Sequence, residues 1–172
     1  MNKIYFSREG LEHFVKRARE FEKRSIERTT EEFEGASGGE SSVYHDNFEY
    51  EQAVLVMDQR AREIKKDRDI ISMAIVFDVK EQVERVTIGS TVDLELGDGT
   101  EKEVTIGAYG ESFPEKGLVT YQSPLAKSIL GKKEGEEGTI ALPKGTTEVL
   151  ILKIHPASYK YRKLIQELFS KP

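Results

Sequence analysis

The sequence predicts an α+β fold: an antiparallel coiled-coil hairpin, then a small antiparallel sheet crossed by one helix, then a C-terminal helix. Three observations predict it. Two long segments of helical periodicity flank a Gly/Ser-rich turn near residue 38. The pattern changes from helical to alternating after Val76-Phe77-Asp78-Val79, and a last segment returns to a one-faced apolar spacing.

Ile4, Tyr5 and Phe6 form a short lead able to pack, and Ser7 suits a helix N-cap. Leu11, Phe14, Ala18, Phe21 and Ser25 then alternate three- and four-residue steps, and Ile26, Thr29 or Thr30 and Phe33 continue the seam shifted by one position. This helix is expected to end near Glu34. Gly35-Ala36-Ser37-Gly38-Gly39 is expected to break it, because glycine is costly in helix interiors and serine competes for backbone hydrogen bonds. A second helix is expected from about Asp46 to Ile75, where Tyr50, Met57, Ile64 and Ile71 recur every seven residues. Val54, Ala61 and Ile75 fill intermediate positions, with Arg68 the polar exception. A narrow seam implies a single partner helix, and about 28 residues at 1.5 Å each make a rod of roughly 40 Å.

Thr91–Leu96 alternates strictly, Gly97-Asp98-Gly99 is a hairpin turn signal, and Glu103–Ile106 resumes as a strand. Further strands are expected at Gly117–Tyr121, Gly138–Leu142 and Glu148–Ile154, the last apolar enough to be central. Pro124–Leu130 reads as a short helix ending at Gly131, and Ala157–Ser170 as a terminal helix with Tyr161, Leu164, Ile165 and Leu168 on one face. The polar stretch from Asp78 to Arg85 divides residues 1–78, a hairpin domain with an acidic tip, from residues 79–172, a sheet domain with a helical extension.

Composition narrows the function classes. Charged residues make up 33% and the hydrophobic set 37%, lean for one globule but natural for an exposed hairpin joined to a small core. A net charge of -5 argues against a general nucleic-acid surface. The absence of cysteine excludes disulfides and thiolate metal sites, and His13, His45 and His155 lack ligand spacing. No apolar run approaches the roughly 18 residues of a membrane helix, and the N-terminus has no signal core, so a cytoplasmic protein with no membrane partner is expected.

The segment from Glu31 to Glu51 holds seven carboxylates and no Lys or Arg, which places an acidic cluster at the tip of the hairpin. Asp46 and Glu49, three apart, are neighbours on one helical turn and could face a magnesium ion, which binds through few carboxylates when phosphates and water supply the rest. Asp46-Asn47-Phe48-Glu49 is equally a capping box, and for Glu31, Glu32, Glu34 and Glu51 a solvated face is the better reading. Toward the base the balance reverses: residues 58–69 carry five basic and four acidic side chains, with Arg60, Arg62, Lys65 and Lys66 forming a basic shaft able to touch nucleic acid. Intrahelical pairing, as in Glu20 with Arg24, explains part of this basic content. There is no phosphate-binding glycine loop with its lysine, no serine elbow and no histidine beside a nucleophile, so the chain is not expected to be an enzyme.

His45-Asp46-Asn47-Phe48-Glu49-Tyr50 resembles the Ser-Glu-Asn-Ala-Glu-Tyr run of the bacterial GreA/GreB transcript cleavage factors. Ser123-Pro-Leu-Ala-Lys-Ser-Ile-Leu-Gly-Lys-Lys-Glu-Gly135 resembles the signature of their C-terminal domain, and the order of a coiled-coil hairpin followed by an FKBP-like sheet domain agrees. The resemblance covers about residues 4–155, and the helix after Pro156 looks like an extension beyond the family's usual end.

A monomer is expected, and the resemblance implies that it docks on RNA polymerase through Ser123, Pro124 and Leu125, the last as an exposed anchor. It also implies a hairpin inserted into the secondary channel, where it meets the RNA 3′ end or DNA indirectly. The family's tip Glu falls on Asp46, its Asn on Asn47, its later Glu on Glu49 and its Tyr on Tyr50, while its principal metal-holding Asp falls on Val43. No cofactor is then bound alone; Asp46 is the expected ligand to a magnesium shared with the polymerase, with Glu40 a substitute carboxylate. Two outcomes follow: stimulation of RNA cleavage by the polymerase, or occupation of the channel without cleavage, as in inhibitory Gre homologues. Tyr44 and Phe48 suit contact with a protein or nucleotide surface.

Two other classes compete. A peptidyl-prolyl isomerase or chaperone needs an aromatic-lined pocket, and Tyr109, Phe113 and Tyr121 are the only aromatics of residues 86–155. A coiled-coil adaptor would be insensitive to changes at the tip.

Overall fold

The computed structural model describes residues 3–37, 48–81, 83–142 and 145–169, with side chains for all of these except 33–37, 48–50 and 142. It divides into two compact units: one contains Glu12–Ala74, the other Ile4–Leu11 and the chain from Ile75 onward.

The first unit holds most of α1 (Arg8–Ser37) and α2 (Phe48–Ser72). Arg17 and Glu22, early in α1, pair with Asp67 and Arg68, late in α2, whereas Glu32, late in α1, pairs with the earlier Arg60, so the helices run antiparallel. Helix α1 continues through Gly35, Ala36 and Ser37, past its expected end. One interior glycine costs only about 1 kcal/mol, and an established helix gains a hydrogen bond for each residue added. Helix α2 stops before Ile75. Its last turn closes with the Met73 N–H on the Asp69 carbonyl at 3.2 Å, and Ala74–Val76 become strand β2. The β-branched pair Ile75-Val76 favours that outcome.

The seam is only partly apolar. Phe14, Ala18 and Ser25 are buried on α1, and Ile70 rather than Ile71 is buried on α2. Ile26 and Met57, expected in the seam, are 59% and 40% exposed. At their level polar groups make the cross-link instead: Arg60 donates to the Thr29 hydroxyl at 3.2 Å and to Glu32. Ile26, Met57, Ala61 and Ile64 are left bordering an open groove of about 500 Å³.

In the second unit β1 (Ile4–Phe6) and β2 form a two-stranded sheet, so the lead segment is a strand. Ser7 caps α1 as expected, its Oγ accepting from the Gly10 N–H at 2.9 Å. The main sheet contains β3 (Thr91–Leu96), β4 (Glu101–Gly107), β5 (Leu118–Thr120), β6 (Glu137–Leu142) and β7 (Gly145–His155), in the order β5-β4-β3-β7-β6. It is antiparallel from β4 to β6, with β7 internal as expected, and β5 adds at the edge parallel to β4 over three residue pairs. The β3–β4 turn is the one expected. Gly99 has φ +79°, its N–H reaches the Leu96 carbonyl at 2.7 Å, and the Asp98 carboxylate accepts from the Thr100 N–H at 2.9 Å.

Helix α3 (Pro124–Ile129) buries Ala126 and Ile129 among Val92, Leu94, Val104, Ile106, Val149 and Ile151. A second cluster collects Leu118 with Tyr161, Leu164 and Ile165 of α4 (Tyr161–Phe169). Helix α4 starts later than expected because Ala157–Lys160 form turns.

Candidate functional site

Ser123 creates the start of α3. Its extended backbone (φ −64°, ψ 152°) turns the chain, and its Oγ accepts from the Ala126 N–H at 3.1 Å. Pro124 follows at the first helical position, where a missing N–H costs nothing and φ is already helical. The Ser-Pro-Leu segment is thus a cap and first turn rather than a loop. Burying Ala126 and Ile129 turns Pro124 outward and leaves Leu125 half-buried against the sheet core, not freely exposed as expected.

These three residues line an open groove of about 830 Å³. Its apolar floor is Leu125, Leu96, Val119 and Ile140; Lys102, Asp98 and Glu148 stand on the rim. Asp98 is held below the usual carboxylate range by hydrogen bonds from the backbone and hydroxyl of Thr100. The groove therefore offers a hydrophobic strip bordered by both signs of charge, a surface suited to an apolar side chain of a protein partner rather than to bond-making chemistry. Leu96, Val119 and Ile140 escaped sequence reasoning, although each lies in an expected strand, because only strand order brings them beside α3.

The three aromatics weighed for an isomerase pocket lie elsewhere. Tyr121 meets Tyr5 edge-on with centroids 6.0 Å apart, Tyr109 lies 5.0 Å from Phe6, and Phe113 packs in the cluster around α4.

Glu40, Val43, Tyr44, Asp46 and Asn47 lie outside the described residues, and Glu49 falls in the first turn of α2. Among the described residues no group of three or more His, Cys, Asp and Glu side chains is placed to hold a metal ion. On the shaft, Arg60 is engaged with Glu32, whose carboxyl its hydrogen bonds hold below the usual range, and Arg62 pairs with Asp58 one turn away. Lys65 and Lys66 are exposed. No helix among the described residues is long and apolar enough to cross a membrane.

Residues 81–156, which include the whole groove, match the family described as transcription elongation factor, GreA/GreB, C-terminal. The chain is 35% identical over 157 residues to the transcription elongation factor GreA of a Nitratiruptor species, covering 87% of this chain and 93% of the relative. It is 43% identical over 111 residues to GreA of Nautilia profundicola, covering 63% and 68%. A solved structure, the GreA factor homolog 1 (Gfh1) protein of Thermus thermophilus, is 22% identical with a TM-score of 0.41 over 90% of this chain and 99% of that one, a likeness too low to carry a conclusion.

Proposed function

Because the chain belongs to the GreA/GreB family of transcription elongation factors, we propose that it binds RNA polymerase through the α3 groove and presents the acidic segment joining α1 and α2 to the secondary channel. There it promotes cleavage of backtracked RNA by the polymerase's own catalytic centre. The observation that carries this reading is the placement of Ser123, Pro124 and Leu125 on an apolar groove, inside the part of the chain that matches the family.

The roles divide by unit. The sheet unit supplies binding energy by covering its apolar strip, which contributes about 25 cal/mol per Å² of apolar surface removed from water. The hairpin supplies reach and charge. Its tip carboxylates Glu40, Asp46 and Glu49 are of the donor type a magnesium ion takes, and the polymerase's magnesium supplies the Lewis acidity and activated water that hydrolysis needs.

A second reading rests on one residue. Val43 stands where the family's principal metal-holding Asp is expected, and valine offers no oxygen. A tip that reaches the channel without that carboxylate occupies it and slows elongation instead of promoting cleavage.

Adding the purified protein to a stalled, backtracked polymerase complex and following RNA length separates the two. Shortened RNA supports the cleavage factor. Full-length RNA with slowed elongation supports the inhibitor, and no effect on either, at concentrations that saturate a positive-control factor, rejects both.

A further inference from the structure

Helix α4 lies beyond residue 156, where the match to the family ends, and it packs in a second cluster that takes only Leu118 of edge strand β5 from the main sheet. The hairpin leaves the sheet unit after Leu11 and returns at Ile75, so residues 4–11 and 75–81 are its two roots. Contacts from α4 and the turn before it reach both. On the first root, Phe169 lies 3.6 Å from the position a Cβ would take on Gly10. On the second, the Phe77 ring meets the Tyr161 ring at 6.3 Å, Glu81 accepts from Arg162 at 3.0 Å, and Glu81 also accepts from the Ser158 N–H at 3.1 Å. The roots are joined to each other by the Phe77 N–H on the Phe6 carbonyl at 3.1 Å.

At the centre sits Glu111, fully buried. One carboxylate oxygen accepts from the Ser7 hydroxyl; the other accepts from the Tyr161 hydroxyl at 2.8 Å and the Ala108 N–H at 2.7 Å. A single carboxylate thus ties α4, the cap of α1 and the loop after β4 together. Losing one of its donors leaves a costly buried group underbonded, so the three segments depend on one another.

We infer that α4 is a clamp: it and the two roots open and close as one cooperative unit, fastened by Tyr161 on Glu111, while the main sheet remains folded. Opening at a fraction of the global unfolding free energy is how such units behave elsewhere in proteins. The polar outer fastenings, Glu81–Arg162, Lys116–Glu167 and Lys160–Glu103, are partly exposed pairs of small energetic worth, which leaves Glu111 as the decisive polar tie.

Native-state hydrogen exchange on the full chain tests this. Tyr161→Phe removes only the hydroxyl. Exchange should accelerate roughly tenfold, by a common factor, at Leu11 and Phe77 in the roots and at Leu164 in α4, with Gly97 and Ile151 of the sheet unchanged. Acceleration at Leu164 alone would make α4 an independently fraying helix, and equal acceleration at Ile151 would make the effect global. Either result overturns the inference, as does no change anywhere. A second variant ending at Pro156 should keep the sheet's protection at Gly97 and Ile151 while losing protection in both roots. Its failure to fold would show that the sheet depends on α4 and would likewise overturn the clamp.

Discussion

Both terminal nitrogens of Arg60 lie 2.9 Å from the two carboxylate oxygens of Glu32, a bidentate bond across the hairpin between residues 28 apart in sequence. Such a fork-to-fork pair fixes register as well as charge. It also removes Arg60 from the cations that an external ligand would meet. Charge reversal, Arg60→Glu, should lower the melting temperature of the hairpin, and Arg60→Glu with Glu32→Arg should recover most of it. Equal melting of the single and double variants would deny the pair a structural role. On the same reasoning Lys65→Glu with Lys66→Glu should weaken polymerase affinity at low salt more than at high salt.

For the groove, Leu125→Ala is more informative than a charged replacement, because the side chain is half-buried against the core and Asp would also destabilise the sheet. If Leu125 is an interface anchor, truncation weakens polymerase binding about 30-fold, corresponding to about 2 kcal/mol, at unchanged melting cooperativity. Unaltered affinity would remove the groove from the docking surface.

At the tip, Val43→Asp adds one hard oxygen donor. RNA shortening by the backtracked complex should appear or rise sharply in magnesium, with binding unchanged. Binding without any gain in cleavage would show that residue 43 is not held near the polymerase's metal. Asp46→Ala should lower whatever cleavage the parent chain supports.

The sheet unit is discontinuous in sequence. Phe6 is fully buried and belongs to it, so a fragment of residues 79–172 lacks a core side chain as well as the Ser7 partner of Glu111. Losing a buried Phe costs about 3–5 kcal/mol. Urea denaturation should find that fragment less stable, by at least that amount, than a chain joining residues 1–11 to 75–172 through a Gly/Ser linker. Equal midpoints at equal slopes would show that β1 contributes nothing.

Burial pushes the Glu111 carboxyl above its usual range, outweighing the hydrogen bonds from Ser7, Ala108 and Tyr161, and the nearby charge of Glu9 pushes the same way. Burial and the charge of Glu111 push the Tyr161 phenol upward as well. A folded-state pKa above the unfolded value means that the stability contribution is complete below about pH 4.3 and is lost as pH rises through the folded value. The stability of the parent chain minus that of Glu111→Gln should therefore fall from pH 4 toward neutrality. A difference that grows with pH would reverse the sign of the shift.

Much of this was legible in sequence because local chemistry and tertiary structure agree. Gly97-Asp98-Gly99 demanded a tight turn, Pro124–Leu130 read as a short helix, and the apolar run before His155 demanded an internal strand; each appears as expected. What escaped depends on distant partners. Ile4–Phe6 pairs as a strand only because residues 74–76 return to it, and Ile26 is exposed although its spacing fits a seam. Glu111 carried no signal at all: in the polar stretch Gly110-Glu111-Ser112 nothing marks it as buried, since the residues that cover it come from positions 7 and 161. Apart from Glu49, in the first turn of α2, the tip chemistry rests on residues 40–47, outside the described residues.

The knot of hydroxyls on Glu111 also sets a timetable. Tyr161 follows Ser7 by 154 positions (161 minus 7), roughly 8 to 31 s of synthesis. Before half of that interval has passed the hairpin is completed at Ser72 and β1 can meet β2, while Phe6 still waits for Tyr109 and Glu111 for Tyr161. A nascent chain therefore carries β1 unpaired until Ala74–Val76 are made and Phe6 uncovered until Tyr109 is made, and chaperone capture or misassembly during biogenesis should centre on residues 4–6.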